Sequence, residues 1–400
     1  MAKIWQKLNR FKWNPRMAKE LLQESQQQVD RMQPVNILLV GKTGAGKSTL
    51  INALFREEVA RTGMGLPVTD HLIKLTKEGM PITLYDSRGL ELGQSEQSQT
   101  IQGIFELIDL QKAKGPTEAI HFVYYCIHGG MGRIEEQELL LIEHLSQKLP
   151  VIIVITQAYS QASFEFKQYL EAHLSQVKAV IPVLAKPVKL ANGQEMAAFG
   201  LKELIMTTMA ILPEELHQAF INAQQADIDL KVTKAKRWAK TYISSAFGIG
   251  FIPIPVADAS LLVPMQISML AQITALFGLS LDMAQIMSIL AGIGGTSGAT
   301  ALGKYIATSM IKWVPGLSFL GGGLLNGTTA ATLTMALAYA YIEALRKIAV
   351  SESQGKRIPL RQIQTLMKQQ FKRELQHSQK LFSSKQGQAI LKQWLESNKN

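Results

Sequence analysis

A glycine-rich stretch near the start of the chain carries the residue types best suited to chemistry. Residues 41–48 read Gly-Lys-Thr-Gly-Ala-Gly-Lys-Ser, the pattern Gly-x4-Gly-Lys-[Ser/Thr]. Such glycines let successive backbone N–H groups converge on phosphate oxygens, and the helix that follows points its positive end at them. Lys47 would reach the β- and γ-phosphates of a nucleotide, and Ser48 would bind Mg²⁺. The predicted nucleotide contacts are Gly41, Thr43, Gly44, Ala45, Gly46, Lys47, Ser48 and Thr49.

A second segment is placed to complete the magnesium site. Residues 86–89 read Asp-Ser-Arg-Gly after an apolar run, so the Asp86 carboxylate would hold Mg²⁺ through water and the Gly89 N–H would meet the γ-phosphate. Between the two segments, residues 61–69 read as a glycine-rich connection. We choose Thr69 as the hydroxyl that completes the Mg²⁺ shell, although threonines without such a role are common in loops.

Strands and helices alternate around these residues. Residues 35–40 predict a buried strand before the glycine-rich stretch, and residues 47–56 predict a helix after it. Further strands are predicted at 71–77, 81–86, 119–127, 150–156 and 179–185, and further helices at 95–112, 133–148, 161–177 and 199–211. This alternation predicts an α/β fold over residues 35–212, a doubly wound, mostly parallel sheet with helices on both faces.

Charge almost disappears in the next part of the chain, residues 213–350. A mixed polar helix is predicted up to Lys240, and the uncharged runs that follow are 241–257, 259–281, 283–303 and 313–342. Three of these runs exceed the roughly 18 residues at which a membrane span becomes a candidate. We predict an all-α hydrophobic domain that spans or enters a membrane, with a bundle of helices buried on every side as the alternative.

Both ends of the chain are basic. Of the net charge of +11, residues 1–33 carry +4 and residues 351–400 carry +7. We predict a basic helical segment over 1–34, whose apolar face either lies on anionic lipid or packs on the helical domain. Residues 351–400 form a predicted basic helical tail. Its apolar stripe consists of Leu360, Ile363, Met367 and Phe371.

Composition indicates where such a chain works. Charged residues make up only 18% of the 400 residues, and the single cysteine, Cys126, excludes an intramolecular disulfide. No apolar stretch of signal-peptide type follows the basic start. We expect a cytoplasmic protein with peripheral or integral association at the cytoplasmic face of a membrane.

The phosphate-binding motif and the segments after it resemble a known family. Residues 35–212 resemble the Era-like branch of the translation-factor-related P-loop GTPases, with residues 67–69 similar to its first switch and residues 86–90 similar to its second. The resemblance implies a Mg²⁺-dependent switch that binds GTP or GDP and hydrolyses GTP to GDP and phosphate. It also implies that Thr69 and Gly89 sense the γ-phosphate.

The C-terminal part carries a resemblance of its own. The stretch around residues 252–258, Ile-Pro-Ile-Pro-Val-Ala-Asp, and the apolar helices after it are similar to a bacterial helical domain of unknown function that is often fused to such GTPases. Helices on both sides of the GTPase core also resemble the architecture of immunity-related and dynamin-like membrane GTPases.

The motif that selects guanine in this family is only partly present. Its usual form is Asn/Thr-Lys-x-Asp, and here residues 156–159 read Thr-Gln-Ala-Tyr. Thr156 is kept, while Gln157 stands at the lysine position and Tyr159 at the aspartate position. Ala185 lies in a segment similar to the loop whose backbone N–H meets the guanine carbonyl. By resemblance, Thr156, Gln157 and Ala185 are the base contacts.

The residue that positions the attacking water in Ras-type switches is also replaced, because Leu90 stands where those proteins have glutamine. Arg88 and Arg61 are candidates for stabilising the developing charge, supplied in the same chain or across a nucleotide-dependent homodimer. A solvated loop residue is the commoner role for an arginine. We therefore expect slow intrinsic turnover that a partner or self-assembly raises.

Three functions remain open at this point. The first is a GTPase switch at a membrane, whose helical domain contacts lipid. The second is an RNA- or ribosome-associated assembly GTPase, which the charge of +11 would also suit. The third is a nucleotide-binding scaffold that barely hydrolyses, which Tyr159 and Leu90 keep open.

Overall fold

The structure is a computed structural model that describes residues 15–55, 64–69, 72–87, 94–189, 193–249, 257–294 and 322–397. It divides into two compact units. Val29–Asp227 forms the first, which we call the sheet unit. The described residues of Met1–Gln28 and Ile228–Asn400 form the second, which we call the helical unit.

Strands of the sheet unit build one seven-stranded sheet and a separate two-stranded ladder. Their bounds are β1 Val35–Val40, β2 Met64–Thr69, β3 Leu72–Lys77, β4 Met80–Ser87, β5 Phe122–His128, β6 Val151–Thr156, β7 Ala179–Val183, β8 Val188–Lys189 and β9 Glu195–Met196. The large sheet has the order β2-β3-β4-β1-β5-β6-β7. Strands β4, β1, β5, β6 and β7 run parallel, and β2 and β3 add an antiparallel edge.

Helices of the sheet unit follow the parallel strands. Helix α1, Pro15–Asp30, precedes β1 and belongs to the helical unit as far as Gln28. The helices of the sheet unit are α2 Lys47–Leu54, α3 Gln94–Ala113, α4 Glu136–Lys148, α5 Gln161–His173, α6 Leu201–Ile211 and α7 His217–Ala223, with a 3₁₀ turn at Glu214–Leu216. Every residue of β1 and β6 is buried, as expected for a parallel sheet with both faces covered. The predicted α/β fold is confirmed.

Two predictions about the chain path are wrong. Residues 64–69 are a strand and not a loop, because their backbone pairs antiparallel with β3, with a register shift between Pro67 and Thr69. Pro67 is tolerated there because β2 lies at the sheet edge. The polar helix predicted from Pro213 to Lys240 is broken, since the Gln224 side chain caps a turn by bonding the N–H and the carbonyl of Asp227.

The helical unit consists of long helices that bury one another. After the first part of α1, they are α8 Ile228–Ile249, α9 Ala257–Phe277, α10 Met283–Gly294, α11 Gly322–Ser353, α12 Leu360–Ser383 and α13 Lys385–Ser397. Helix α11 packs on α8 and α12, and α10 packs on α12. The predicted stripe of α12 is buried at Ile363, Met367 and Phe371, while Leu360 is exposed.

Polar side chains pair inside this unit, at the positions where the sequence suggested membrane helices. Gln266 donates to Thr334 Oγ1 over 3.1 Å, and the Thr274 and Tyr341 hydroxyls lie 2.6 Å apart. Of the helices in the described ranges, none combines the length and apolar content that crossing a bilayer requires. Residues 1–14, 250–256 and 295–321 of the predicted apolar and basic segments lie outside the described ranges.

Candidate nucleotide-binding site

The glycine-rich stretch lies between the C-terminal end of β1 and the first turn of α2. Lys47, the first residue of α2, folds back over the stretch, and its Nζ donates to the carbonyl of Gly41 over 2.7 Å and to that of Lys42 over 3.3 Å. Gly46 begins α2 from the left-handed region, with φ 80°. The stretch is thus already closed around a lysine ammonium group and a helix N-terminus, the two features that bind phosphate.

Thr156 holds this phosphate loop in place. Its buried hydroxyl, at the end of β6, donates to the Ala45 carbonyl over 2.7 Å, with the Ile127 carbonyl 3.3 Å away. A Cβ on Gly46 would come within 3.0 Å of the same hydroxyl. The side chain that we predicted as a base contact is therefore occupied in positioning the loop against β5 and β6.

Asp86 lies on β4, next to β1, where Leu39 is its partner in the register. Its Oδ1 is buried and has no hydrogen-bond partner among the described residues. Burial raises the pKa of the Asp86 carboxyl, and the positive charge of Lys47 partly opposes that shift. An orphaned carboxylate oxygen beside a lysine and a phosphate loop fits Mg²⁺, which takes one or two carboxylates together with nucleotide phosphates. Ser48, exposed in α2, is the hydroxyl that would join it.

Replacing Asp86 with asparagine separates metal binding from stability. We expect Asp86→Asn to lower Mg²⁺ affinity in the nucleotide complex by about tenfold, the usual loss for an outer-shell ligand. The free protein should become more stable by about 1 kcal/mol at neutral pH, because an unsatisfied buried carboxylate is removed. Magnesium titrations of nucleotide binding and hydrogen exchange of β4 measure the two effects.

The pH dependence gives the second readout for this variant. The folded-state pKa of Asp86 is raised, so the wild type loses stability as the pH rises through the interval from the unfolded to the folded pKa. Asp86→Asn should lack that loss. Asp109→Asn is the matched control, since Asp109 is 61% exposed and pairs with Lys148. Equal magnesium affinities of wild type and Asp86→Asn would contradict the assignment.

Positions predicted to contact the base follow β6 and β7. Gln157 has φ 51°, the only positive φ among the non-glycine residues that the structure describes. The N–H of Ala158 donates to the Val183 carbonyl over 3.2 Å, which fixes the turn beside β7. Tyr159 is 40% exposed, and Ala185 is half-buried just beyond β7. The structure brings the predicted base contacts to one end of the sheet.

The structure describes only some of the remaining predicted site residues. Thr69 is the last residue of β2 and pairs with Leu72 through the backbone. Arg61, Arg88, Gly89 and Leu90 lie outside the described ranges. Within the phosphate loop and the start of α2, Thr43, Gly44 and Thr49 are exposed, whereas Gly41 and Ala45 are buried.

The sequence reading missed a charged cluster behind the phosphate loop. Lys42 Nζ lies 2.8 Å from Glu135 Oε1 and 3.0 Å from Glu138 Oε2, at the N-terminus of α4. Burial would lower the pKa of Lys42, but hydrogen bonds and charge from the two glutamates outweigh it and raise the value. The same contacts lower the pKa of Glu135. The acids at the N-cap and in the first turn of α4, Glu135 and Glu138, were the available signal, but their partner Lys42 is distant in sequence.

Comparison with known proteins agrees with this geometry. The family model described as "50S ribosome-binding GTPase" matches residues 36–157, which run from β1 through the phosphate loop and Asp86 to the end of β6. The sheet unit carries a P-loop GTPase domain. A second family model, a domain of unknown function, matches residues 214–373. The GTPase domain and the helical domain are therefore each recognised separately.

Curated relatives match the GTPase domain. The chain is 24% identical over 200 residues to tRNA modification GTPase MnmE of Syntrophomonas wolfei, covering 50% of this chain and 37% of the relative. It is 27% identical over 124 residues to GTPase Era of a Thermoanaerobacter species, covering 30% of this chain and 38% of the relative. The chain thus spans less than two fifths of either relative's length.

A solved structure, titled as a probable GTP-binding protein engB, is 19% identical and has a TM-score of 0.32, covering 44% of this chain and 98% of that one. The relatives named Era and MnmE bear out the Era-like resemblance of the GTPase domain.

Proposed function

We propose that the sheet unit binds GTP with Mg²⁺ and hydrolyses it to GDP and phosphate, as a nucleotide-dependent switch. The observation that carries the proposal is the pairing of a closed phosphate loop with an orphaned carboxylate on the neighbouring strand. The Lys47 ammonium now donates to backbone carbonyls and would donate to phosphate oxygens when a nucleotide binds. Asp86 Oδ1 lacks a hydrogen-bond partner among the described residues. Mg²⁺ supplies neutralisation of the phosphate charge when it is bound.

The proposal gives each predicted site residue a role. Backbone N–H groups from Gly44 to Thr49 would receive the phosphates, and Ser48 and Asp86 would hold the metal. Thr69 and Gly89 would sense the γ-phosphate, and Arg88 would stabilise the charge that develops during hydrolysis. A nucleotide-dependent homodimer is part of the proposal, because a second copy of the chain could supply an arginine that stabilises the charge developing during hydrolysis.

Phosphate release from GTP tests hydrolysis directly. Purified wild type is compared with Lys47→Met at saturating Mg²⁺ and over a range of protein concentrations. Release that exceeds the variant's, and that rises faster than linearly with protein concentration, supports both hydrolysis and self-assembly. Equal release by the two proteins would leave a nucleotide-binding scaffold as the function.

We propose guanine as the base, on the support of the GTPase family match and of the turn that carries Gln157 next to β7. Competing titrations of GTP and ATP against one fluorescent nucleotide test it. Tighter binding of GTP is the expected result. Equal affinities would place the protein among nucleotide switches without base selection.

Tyr159→Asp should sharpen that selection. A carboxylate at this position can accept the N–H groups of guanine, and a hydrogen bond to a charged group contributes about 1.5–3 kcal/mol, so we expect the GTP-to-ATP affinity ratio to rise by at least about tenfold. Tyr169→Asp is the matched control, because Tyr169 is 44% exposed on α5 and stacks on His173. The same competition titration measures both variants. An unchanged ratio in Tyr159→Asp would mean that the turn does not face the base.

We further propose that this switch acts at an anionic membrane surface through the helical unit. The support is the basic C-terminal part, where Lys356, Arg357 and Arg361 are exposed just before and at the start of α12. Sedimentation with anionic liposomes and with ribosomes, in GDP and in a non-hydrolysable GTP analogue, distinguishes the alternatives. A protein that pellets with ribosomes and stays in the supernatant with liposomes would be an RNA-associated GTPase instead.

A further inference from the structure

A cleft of about 630 Å³ lies at the corner where α11 ends and α12 begins. Four of its lining residues are basic and four are apolar. The corner is held by its own hydrogen bonds, because Lys356 N–H donates to the Ser351 carbonyl over 2.9 Å and the Ser351 hydroxyl donates to the Lys356 carbonyl over 3.0 Å. The cleft is therefore built before any ligand enters.

Charge in this cleft has one sign. Lys347, Lys356, Arg357 and Arg361 line it, and no carboxylate does. Across the described part of the chain, none of these four side chains makes an ion pair. Four unneutralised cations around one concavity repel each other, so a bound anion would relieve that repulsion.

The N-terminus of α12 adds to the positive potential. The helix begins at Leu360 after Pro359, which makes no side-chain cap, and its first turn holds no acidic residue. The N–H groups of Gln362 and Ile363 turn back to the Pro359 carbonyl, at 2.8 and 3.2 Å. Those of Leu360 and Arg361 precede them, in the positions that an anion at a helix N-terminus receives.

Part of the cleft is apolar. Val350, Ile358, Pro359 and Leu366 belong to its lining together with the basic side chains. A free phosphate ion would leave this surface in contact with water. A phosphate that carries a glycerol backbone and acyl chains would cover it, so the combination favours an amphiphilic anion.

We propose that this cleft binds the phosphate group of an anionic phospholipid and is the site through which the helical unit contacts the membrane. The inference rests on the membrane action proposed above and names its binding site. Arg357 and Arg361 would hold the phosphate oxygens, since guanidinium groups pair with them in a bidentate manner. Lys347 and Lys356 would add attraction as point charges.

Flotation of the full chain with vesicles tests the cleft. Vesicles of phosphatidylglycerol mixed with phosphatidylcholine are compared with phosphatidylcholine alone, without nucleotide. The double variant Arg357→Gln/Arg361→Gln should bind the anionic vesicles roughly 25-fold more weakly than wild type, because each basic residue near such a surface is worth about fivefold in affinity. Circular dichroism and GTP titration establish that the variant is folded.

A matched double variant tests whether weaker binding comes from the cleft itself or from any loss of positive charge. Lys368→Gln/Lys372→Gln removes the same charge from exposed positions of α12 outside the cleft, and it should weaken binding by less than about threefold. Equal losses in the two double variants, or no loss in the cleft variant, would overturn the cleft as the site while leaving membrane action standing. Absence of wild-type binding to anionic vesicles would overturn membrane action itself. Calorimetric binding of soluble glycerol phosphate, lost in the cleft variant, without vesicle binding would replace lipid with a free phosphate ester.

Discussion

Lys47→Met is expected to weaken Mg²⁺-nucleotide binding by at least about a hundredfold, since two hydrogen bonds from an ammonium to phosphate contribute roughly 3 kcal/mol or more. Methionine keeps an unbranched side chain as far as the ε position and removes the charged donor group beyond it. The carbonyls of Gly41 and Lys42, which the ammonium now bridges, would lose their donor as well. Titration with a fluorescent GTP analogue measures the loss, and phosphate release should fall with it.

Lys42→Met is the comparison that makes this result specific. It removes the same charge from the same loop, but the Lys42 ammonium contacts Glu135 and Glu138. We expect this substitution to lower nucleotide affinity by less than about fivefold. It should lower the free energy of unfolding by roughly 1–3 kcal/mol, because the buried Glu138 carboxylate loses its ion pair. Equal affinity losses in the two variants would mean that net charge, and not contact with phosphate, governs binding.

The contrast between these lysines shows how far the sequence alone reaches. The role of Lys47 is predicted from a pattern of eight consecutive residues, in which backbone N–H groups, a helix N-terminus and a lysine all contact the same phosphates. Because the interaction is local, spacing is enough to predict it. The role of Lys42 depends on Glu135 and Glu138, about ninety residues away, which only the fold brings near. The same holds for the bond from Thr156 to Ala45.

Strand prediction succeeded and failed for a similar reason. The strands β1 and β6 are buried on both faces, so their nearly continuous apolar runs, interrupted in β1 by Asn36, identify them. Strand β2 is an edge strand with a proline and a glycine, and its pairing with β3 is what makes it a strand. Local propensity favoured a loop there, and tertiary context overrode it.

The uncharged runs left the environment of the apolar helices open. By their lack of charge, residues 259–281 predicted either a membrane helix or a helix buried in a bundle. Most of that run forms α9, whose Gln266 and Thr274 hydrogen-bond side chains on α11. A helix can be free of charge because it is buried in a bundle, and hydropathy over one segment does not separate that case from lipid. The hydrogen-bond partners of the polar side chains distinguish the two cases, and only the packing of the helices reveals those partners.

Gly41→Ala should have the largest effect on stability of any single methyl group in the phosphate loop. The residue has φ 148°, and a Cβ there would come within 2.3 Å of the carbonyl oxygen of Cys126 on β5. Backbone cannot yield as a flexible side chain does, so strain and overpacking together should cost about 3 kcal/mol or more. Nucleotide binding would fall as well, because the loop must move from β5 to relieve the contact.

Gly44→Ala provides the control for that substitution. Gly44 has φ 77°, but nothing lies within 4 Å of a Cβ at this position, so only the backbone term remains and the cost should be about 1–2 kcal/mol. Tryptophan fluorescence cannot report the difference, since Val29–Asp227 contains no tryptophan. Hydrogen exchange at the amides of β1 and β5, measured without nucleotide, reports the stability of the sheet unit directly. Equal losses of protection in the two variants would show that the left-handed backbone, and not the approach of Cys126, dictates glycine at position 41.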